Sequence, residues 1–227
     1  MRTTFQPLCL ALLLATACTA FGAGGGEMPS RPMSASPPPT PEEQARSSYN
    51  AGVKAVEKAD GLAADAAHQA DARKQARALD KANDGYASAL KKFTRATELH
   101  PSMHEAWNYV GYTNRKLGRY DAALAAYDRA LTLKPGYPEA IEYRGHAYLG
   151  LNRLAEAKEA YLSLFASHRK LAAQLLAGMQ DWVGEHRGNP EGVDGASLEA
   201  FASWVSERSA IASQTAGLTR EGASAAW

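Results

Sequence analysis

Two hundred and twenty-seven residues fit one ordinary domain or an elongated array, and leave little room for two catalytic lobes. The chain holds 46 alanines against 5 Phe, 4 Trp and 10 Tyr. Alanine is the strongest helix former and strand-favouring residues are sparse, which argues against an all-β fold. Lys+Arg is 25 and Asp+Glu is 24, a formal net charge of +1, so no global field gathers nucleic acid or an anionic membrane.

The chain opens with Arg2 as its early charge, then the apolar run Leu8 to Ala17. That run is about half of the ~20 residues needed to span a bilayer. A positive end, a short apolar stretch and small residues predict a secretory signal peptide over 1–17. The cysteines are Cys9 and Cys18, so the body has no disulfide and no cysteine cluster for a metal. Leu14-Ala15-Thr16-Ala17-Cys18 resembles a bacterial lipobox, although Ala15 stands where leucine is commoner. The resemblance implies cleavage before Cys18, diacylglycerol on its sulfur, and a membrane held by a lipid anchor. Thr19 after the cysteine, rather than Asp, implies an outer-membrane lipoprotein facing the periplasm. Simple cleavage to a soluble periplasmic or secreted protein is the alternative. Residues 18–41 carry Gly24-Gly25-Gly26, Pro29, Pro32 and Pro37-Pro38-Pro39. Glycine and proline at this density predict a disordered, partly polyproline tether.

Beyond the tether a period of 34 residues governs the chain. Ala89, Ala123 and Ala157 are each 34 apart, as are Phe93, Tyr127 and Tyr161. Pro101 and Pro135, Tyr86 and Tyr120, Gly111 and Gly145, and Ala106 and Ala140 repeat the offset. The fullest copy reads Glu105-Ala106-Trp107-Asn108-Tyr109-Val110-Gly111, Leu117-Gly118-Arg119-Tyr120, then Ala123, Tyr127, Ala130 and Pro135. Gly111 and Ala123 are small where two helices would cross, Gly118 permits a turn and Pro135 stops the second helix. This pattern resembles the tetratricopeptide repeat, a helix–turn–helix unit. The resemblance implies an all-α fold: a short solenoid of two clear repeats plus one split or degenerate N-terminal repeat, closed by C-terminal capping helices.

The segments follow in order. Residues 42–103 hold the degenerate first repeat with an inserted helix. Its second helix is clean from Tyr86 to Leu99, but Gly52 lies 59 residues before Gly111, an excess of 25. That excess is close to seven turns at ~3.6 residues each, so a continuous helical extension would keep the buried face. Gly61 argues for a break, and two helices are expected across Glu42–Ala82. Alternatively, Ala63–Ala82 is itself the first helix and Glu42–Ala59 an added cap. Repeats occupy 104–137 and 138–171; the latter departs at Leu164, where alanine is expected, and at Arg169, where proline is expected. Capping helices follow over 172–211, the first with Leu171, Leu175, Met179, Trp182 and Val183 on one face, the second with Leu198, Phe201, Trp204 and Val205. A disordered tail is expected over 212–227.

Catalytic motifs do not emerge. His100 and His104 flank Pro101-Ser102, so they read as solvated turn histidines. There is no His-Glu-x-x-His, no phosphate loop ending in Lys-Ser/Thr and no Gly-x-Ser-x-Gly elbow. No cofactor is expected, and the chain is read as not an enzyme. The resemblance instead implies a concave groove lined by successive first helices. The inward positions are Asn108, Tyr109, Tyr112, Arg115 and Lys116, then Glu139, Glu142, Tyr143 and His146. Three tyrosines among both charge signs suit an extended peptide or an envelope protein. Some relatives clamp a terminal carboxylate with basic residues here, but Glu139 and Tyr143 stand where such residues are wanted, which predicts against that ligand. The expectation is a protein-binding adaptor of a bacterial envelope. The alternatives are an assembly factor for a pilus, secretin or outer-membrane machine, or a regulator of a cell-wall enzyme. Trp182, Phe201 and Trp204 form a second candidate surface, with mutual packing the favoured reading.

Overall fold

The computed structural model describes residues 37–190 and 192–224, with side chains through Thr215. The expected signal peptide, Cys18 and the tether to residue 36 lie outside the described residues. Among the described residues there are eight α-helices and no strands: α1 Pro41–Ala67, α2 Ala72–Leu99, α3 His104–Lys116, α4 Tyr120–Leu133, α5 Pro138–Gly150, α6 Leu154–Ser167, α7 Arg169–Gly188 and α8 Gly195–Ser224. None of them is long and apolar enough to cross a membrane.

Helix α1 starts where a capping box can form. The Thr40 hydroxyl accepts from the Glu43 N–H at 3.2 Å, and the Glu43 carboxylate accepts from the Thr40 N–H at 2.7 Å. Pro41 follows at the first helical position, where its missing N–H is harmless. The helix then runs straight through Gly61, which corrects the expected break. A lone glycine is a modest penalty of about 1 kcal/mol, and packing on α2 outweighs it. The break falls instead at His68–Asp71, where the Asp71 carboxylate accepts from the Arg73 and Lys74 N–H groups and caps α2. Helix α2 is continuous to Leu99, which overturns the reading of Ala63–Ala82 as a separate first helix. The 25 extra residues are shared between both arms of one lengthened hairpin.

Alanine explains how the arms stay in contact along that length. Ala45, Ala59 and Ala66 of α1 and Ala82, Ala89 and Ala96 of α2 are buried. A Cβ added to Gly85 would lie 2.9 Å from the Ala59 Cβ, so the two backbones approach closely here. Larger rings enter further along: Phe93 nests on Gly52, where an added Cβ would lie 2.6 Å from the ring.

The 34-residue units form the next two hairpins, α3–α4 and α5–α6. Their turns share a backbone device. Gly118 and Asn152, 34 apart, both have positive φ, at 72° and 56°. Asparagine is one of the few side chains that tolerates this region, which is why it can replace the glycine. Helix α7 follows α6 with His168 as the single linking residue, the place where Arg169 stands in for proline. It packs on α5, and α8 packs on α7, so the expected caps form a fourth hairpin. Helix α8 continues to Ser224 in place of the disorder expected from Ala212. Ala212 packs on the C-terminal core, and the Ser213 and Thr215 hydroxyls donate to carbonyls one turn back. Trp182, Phe201 and Trp204 pack on one another, with Trp182 edge-on to Phe201 at 5.3 Å and Phe201 stacked on Trp204 at 6.3 Å.

Candidate functional site

First helices of successive hairpins lie beside one another, and aromatic rings bridge them. Tyr49 of α1 meets Tyr109 of α3 edge-on at 5.6 Å, and Tyr109 stacks on Phe93 at 4.8 Å. Tyr109 and Tyr112 are 6.1 Å apart, and Tyr112 reaches Tyr143 of α5 at 5.1 Å. The predicted trio Tyr109, Tyr112 and Tyr143 is thus one connected ladder, each ring partly exposed. Arg115 lies over two of its rungs, with its guanidinium carbon 5.2 Å from the Tyr112 ring centroid and 5.8 Å from that of Tyr143. A cation shared between two aromatic faces stiffens the ladder.

The lower end of the ladder is held by a residue that sequence reasoning passed over. The Asp60 carboxylate accepts from the Tyr86 hydroxyl at 2.6 Å and from the Tyr112 hydroxyl at 2.8 Å. Lys116 pairs with it at 3.7 Å and lies over the Tyr86 and Tyr112 rings. Burial, with Arg115 next to it, lowers the Lys116 pKa against the opposing pull of Asp60. Lys116 is therefore an internal partner of the face more than a free hook. Asp60 exists at this place because α1 is lengthened: it lies eight residues past Gly52, on the stripe of Gly52 and Val56. Continuity through Gly61 was the signal that would have found it.

Two of the nine predicted groove residues are not offered to a partner. Asn108 is 2% exposed and Glu142 is 5% exposed. They are equivalent by the 34-residue period, and both are buried. The Asn108 Oδ1 has no partner among the described residues. Glu142 pairs with His146 Nε2 at 2.9 Å, and the His146 ring lies against Gly178 of α7, where it fills the place of a side chain. Both readings are corrected: these two side chains are buried and not open to a partner. Glu139 stays partly exposed, and its charge is felt by Tyr109 and Tyr137. His104 meets Tyr137 edge-on at 4.9 Å and pairs with Glu105 at 3.1 Å, giving the turn histidine a structural place.

Burial raises the Tyr49 and Tyr143 hydroxyls to about 12, with nearby tyrosine and glutamate charges pushing the same way. Burial raises Tyr109 and Tyr112 as well, and the hydrogen bond to Asp60 adds to the rise at Tyr112. All four are therefore neutral near pH 7, and they offer hydroxyls and ring area rather than phenolates. Such a surface binds by apolar contact and directed hydrogen bonds, with Tyr holding few rotamers to lose.

Two family models described as tetratricopeptide repeat match the chain, over residues 73–138 and 115–179. The matches span α2 through most of α7 and leave out α1, the helix that supplies Tyr49 and Asp60. No curated relative matches the chain.

Proposed function

Because two tetratricopeptide-repeat models match residues 73–138 and 115–179 of this all-α chain, we propose that it is a tetratricopeptide-repeat protein and a non-enzymatic adaptor of a bacterial envelope. It holds an extended peptide or partner segment along the concave face of α1, α3 and α5. The observation that carries this reading is the ladder of Tyr49, Tyr109, Tyr112 and Tyr143, partly exposed and braced from beneath by Phe93, Asp60 and Arg115. Rigid aromatic area on a preorganised face is what interface hot spots are made of.

The bracing also chooses the test. Tyr112 is tied into the Asp60 network, so its removal would confuse folding with binding. Tyr109→Ala with Tyr143→Ala leaves that network in place. The double variant is expected to stay folded and to lose partner affinity by roughly 30-fold or more, measured on the partner captured by crosslinking from host membranes. Capture of the same partner at undiminished affinity would sink the reading. The envelope address rests on the lipobox-like run ending at Cys18. Mass spectrometry of the chain from its host is expected to show an acylated Cys18 at the new N-terminus, and Cys18→Ser is expected to release the protein from membranes. An unmodified cysteine on a membrane-bound wild type would refute the lipid anchor.

A further inference from the structure

The third repeat differs from the others at Leu164 and Arg169, and a cavity lies beside the second of these. In the first two hairpins a ring nests on the glycine of its own first helix: Phe93 on Gly52, and Tyr127 on Gly111. The equivalent ring is Tyr161, but it does not sit on Gly145. Leu175 of α7 takes that place, 2.6 Å from where a Gly145 Cβ would be. Tyr161 turns instead toward α8, stacked on Phe165 at 5.5 Å and edge-on to Trp204 at 5.5 Å. With no proline at position 169, α7 follows α6 almost at once and brings an arginine to the junction.

Beside this ring lies a cavity of about 310 Å³, lined by Tyr161, Phe165, Arg169, Ala173, Leu176 and Ala212, together with Thr215. Its walls are mostly apolar, and no carboxylate is among them. Tyr161 is 1% exposed, yet its hydroxyl has no hydrogen-bond partner among the described residues, and the Arg208 Nε is buried in the same condition. Buried donors left unmade are costly, so a ligand that accepts from them gains what the fold leaves unused. The charges converge as well. The Arg169 guanidinium stands 3.6 Å over the Phe165 ring with no ion pair among the described residues. Arg208, over Trp204 at 5.6 Å, pairs weakly with its exposed neighbour Glu207 at 3.8 Å. Both guanidiniums act on the Tyr161 hydroxyl, against the upward push of burial on its pKa.

An apolar chamber with the Tyr161 and Thr215 hydroxyls and the Arg169 guanidinium in its wall, and with Arg208 acting on the same Tyr161 hydroxyl from outside the lining, is complementary to a molecule with an apolar body and a single anionic head. We propose that this cavity binds an amphipathic monocarboxylate, with its short acyl chain along Leu176 and Ala212 and its carboxylate at Tyr161, Arg169 and Arg208. Arginine is suited to this head because its planar fork matches a carboxylate and it gives up water readily. The volume lies at the lower end of the roughly 300–1,000 Å³ of small-molecule sites, which suits one short chain and not a two-chain lipid. The site is separate from the tyrosine ladder and does not depend on it.

The test is titration of the full chain by calorimetry with decanoate and, separately, with decanol. The neutral alcohol has the same chain and lacks the charge. Decanoate is expected to bind at least tenfold more tightly than decanol. Arg169→Gln is expected to erase that preference, since Arg169 is exposed and its loss leaves the fold intact. Tyr161→Phe keeps the ring, removes the unpartnered hydroxyl, and is expected to weaken decanoate several-fold without lowering the melting temperature. Equal binding of acid and alcohol would overturn the proposal. So would binding of neither, or wild-type affinity for decanoate in both variants.

Discussion

Gly111→Ala is expected to destabilise the protein by about 3 kcal/mol, the upper part of the usual range for overpacking a filled core. The added methyl would fall onto the Tyr127 ring, meeting three of its carbons. That ring cannot swing away. Tyr127 is 0% exposed, held by Ala123, Leu124 and Ala147, with Tyr143 packed on the same cluster. Room for the methyl must therefore come from parting α3 and α4, which loosens every contact between them. Gly61→Ala is the matched control with the opposite sign. An added Cβ there meets nothing within 4 Å, and the site is helix interior. It is expected to stabilise by about 0.5–1 kcal/mol through helix propensity alone. At roughly 2–4 °C per kcal/mol for a chain of this size, the first variant melts about 6–12 °C lower and the second slightly higher. Thermal unfolding of both, followed by circular dichroism, decides it; a Gly111→Ala protein that melts with the wild type would show that the crossing is looser than the geometry requires.

The same two glycines mark where the fold was legible from residues and where it was not. Gly111 belongs to a set of small and large positions that recur at 34, and its neighbour Tyr127 recurs with it, so a helix crossing could be read there. Gly61 belongs to no repeat. Read by local propensity it suggests a break, yet propensity is worth about 1 kcal/mol and a long alanine-lined contact with α2 is worth more. Missing that continuity also hid Asp60, and with Asp60 the reason Tyr112 and Lys116 are turned inward. Asn108 and Glu142 were misread for a related cause. Periodicity assigns a side of the helix, but whether that side faces solvent or the next first helix depends on how closely the units stack. Tyr161 shows the reverse case: Leu164 and Arg169 were visible departures, and their consequence, a ring displaced from its glycine, needed three dimensions.

Phe201→Ala is expected to remove about 3–5 kcal/mol, the range for deleting a buried aromatic side chain. Phe201 is 1% exposed and joins Trp182, Trp204, Met179 and Val205 in the core under α7 and α8. Lys158 of α6 also lies over its ring, 5.4 Å from the centroid. Where that loss is felt follows from the architecture. Each unit of a solenoid contacts its neighbours alone, so stability is a sum of unit terms and interface terms. Gly111 lies in the second hairpin, with neighbours on both sides, and its loss spreads both ways. Phe201 lies in the last hairpin, and nothing beyond α8 among the described residues supports it. The damage should therefore stay local, with α8 and then α7 opening while α1–α4 remain folded. Hydrogen exchange read by mass spectrometry checks this directly: protection is expected to fall across 172–211 and to hold across 41–133. A uniform loss along the chain would mean that the array unfolds as one cooperative body, and that the C-terminal hairpin is part of its core and not a separable end.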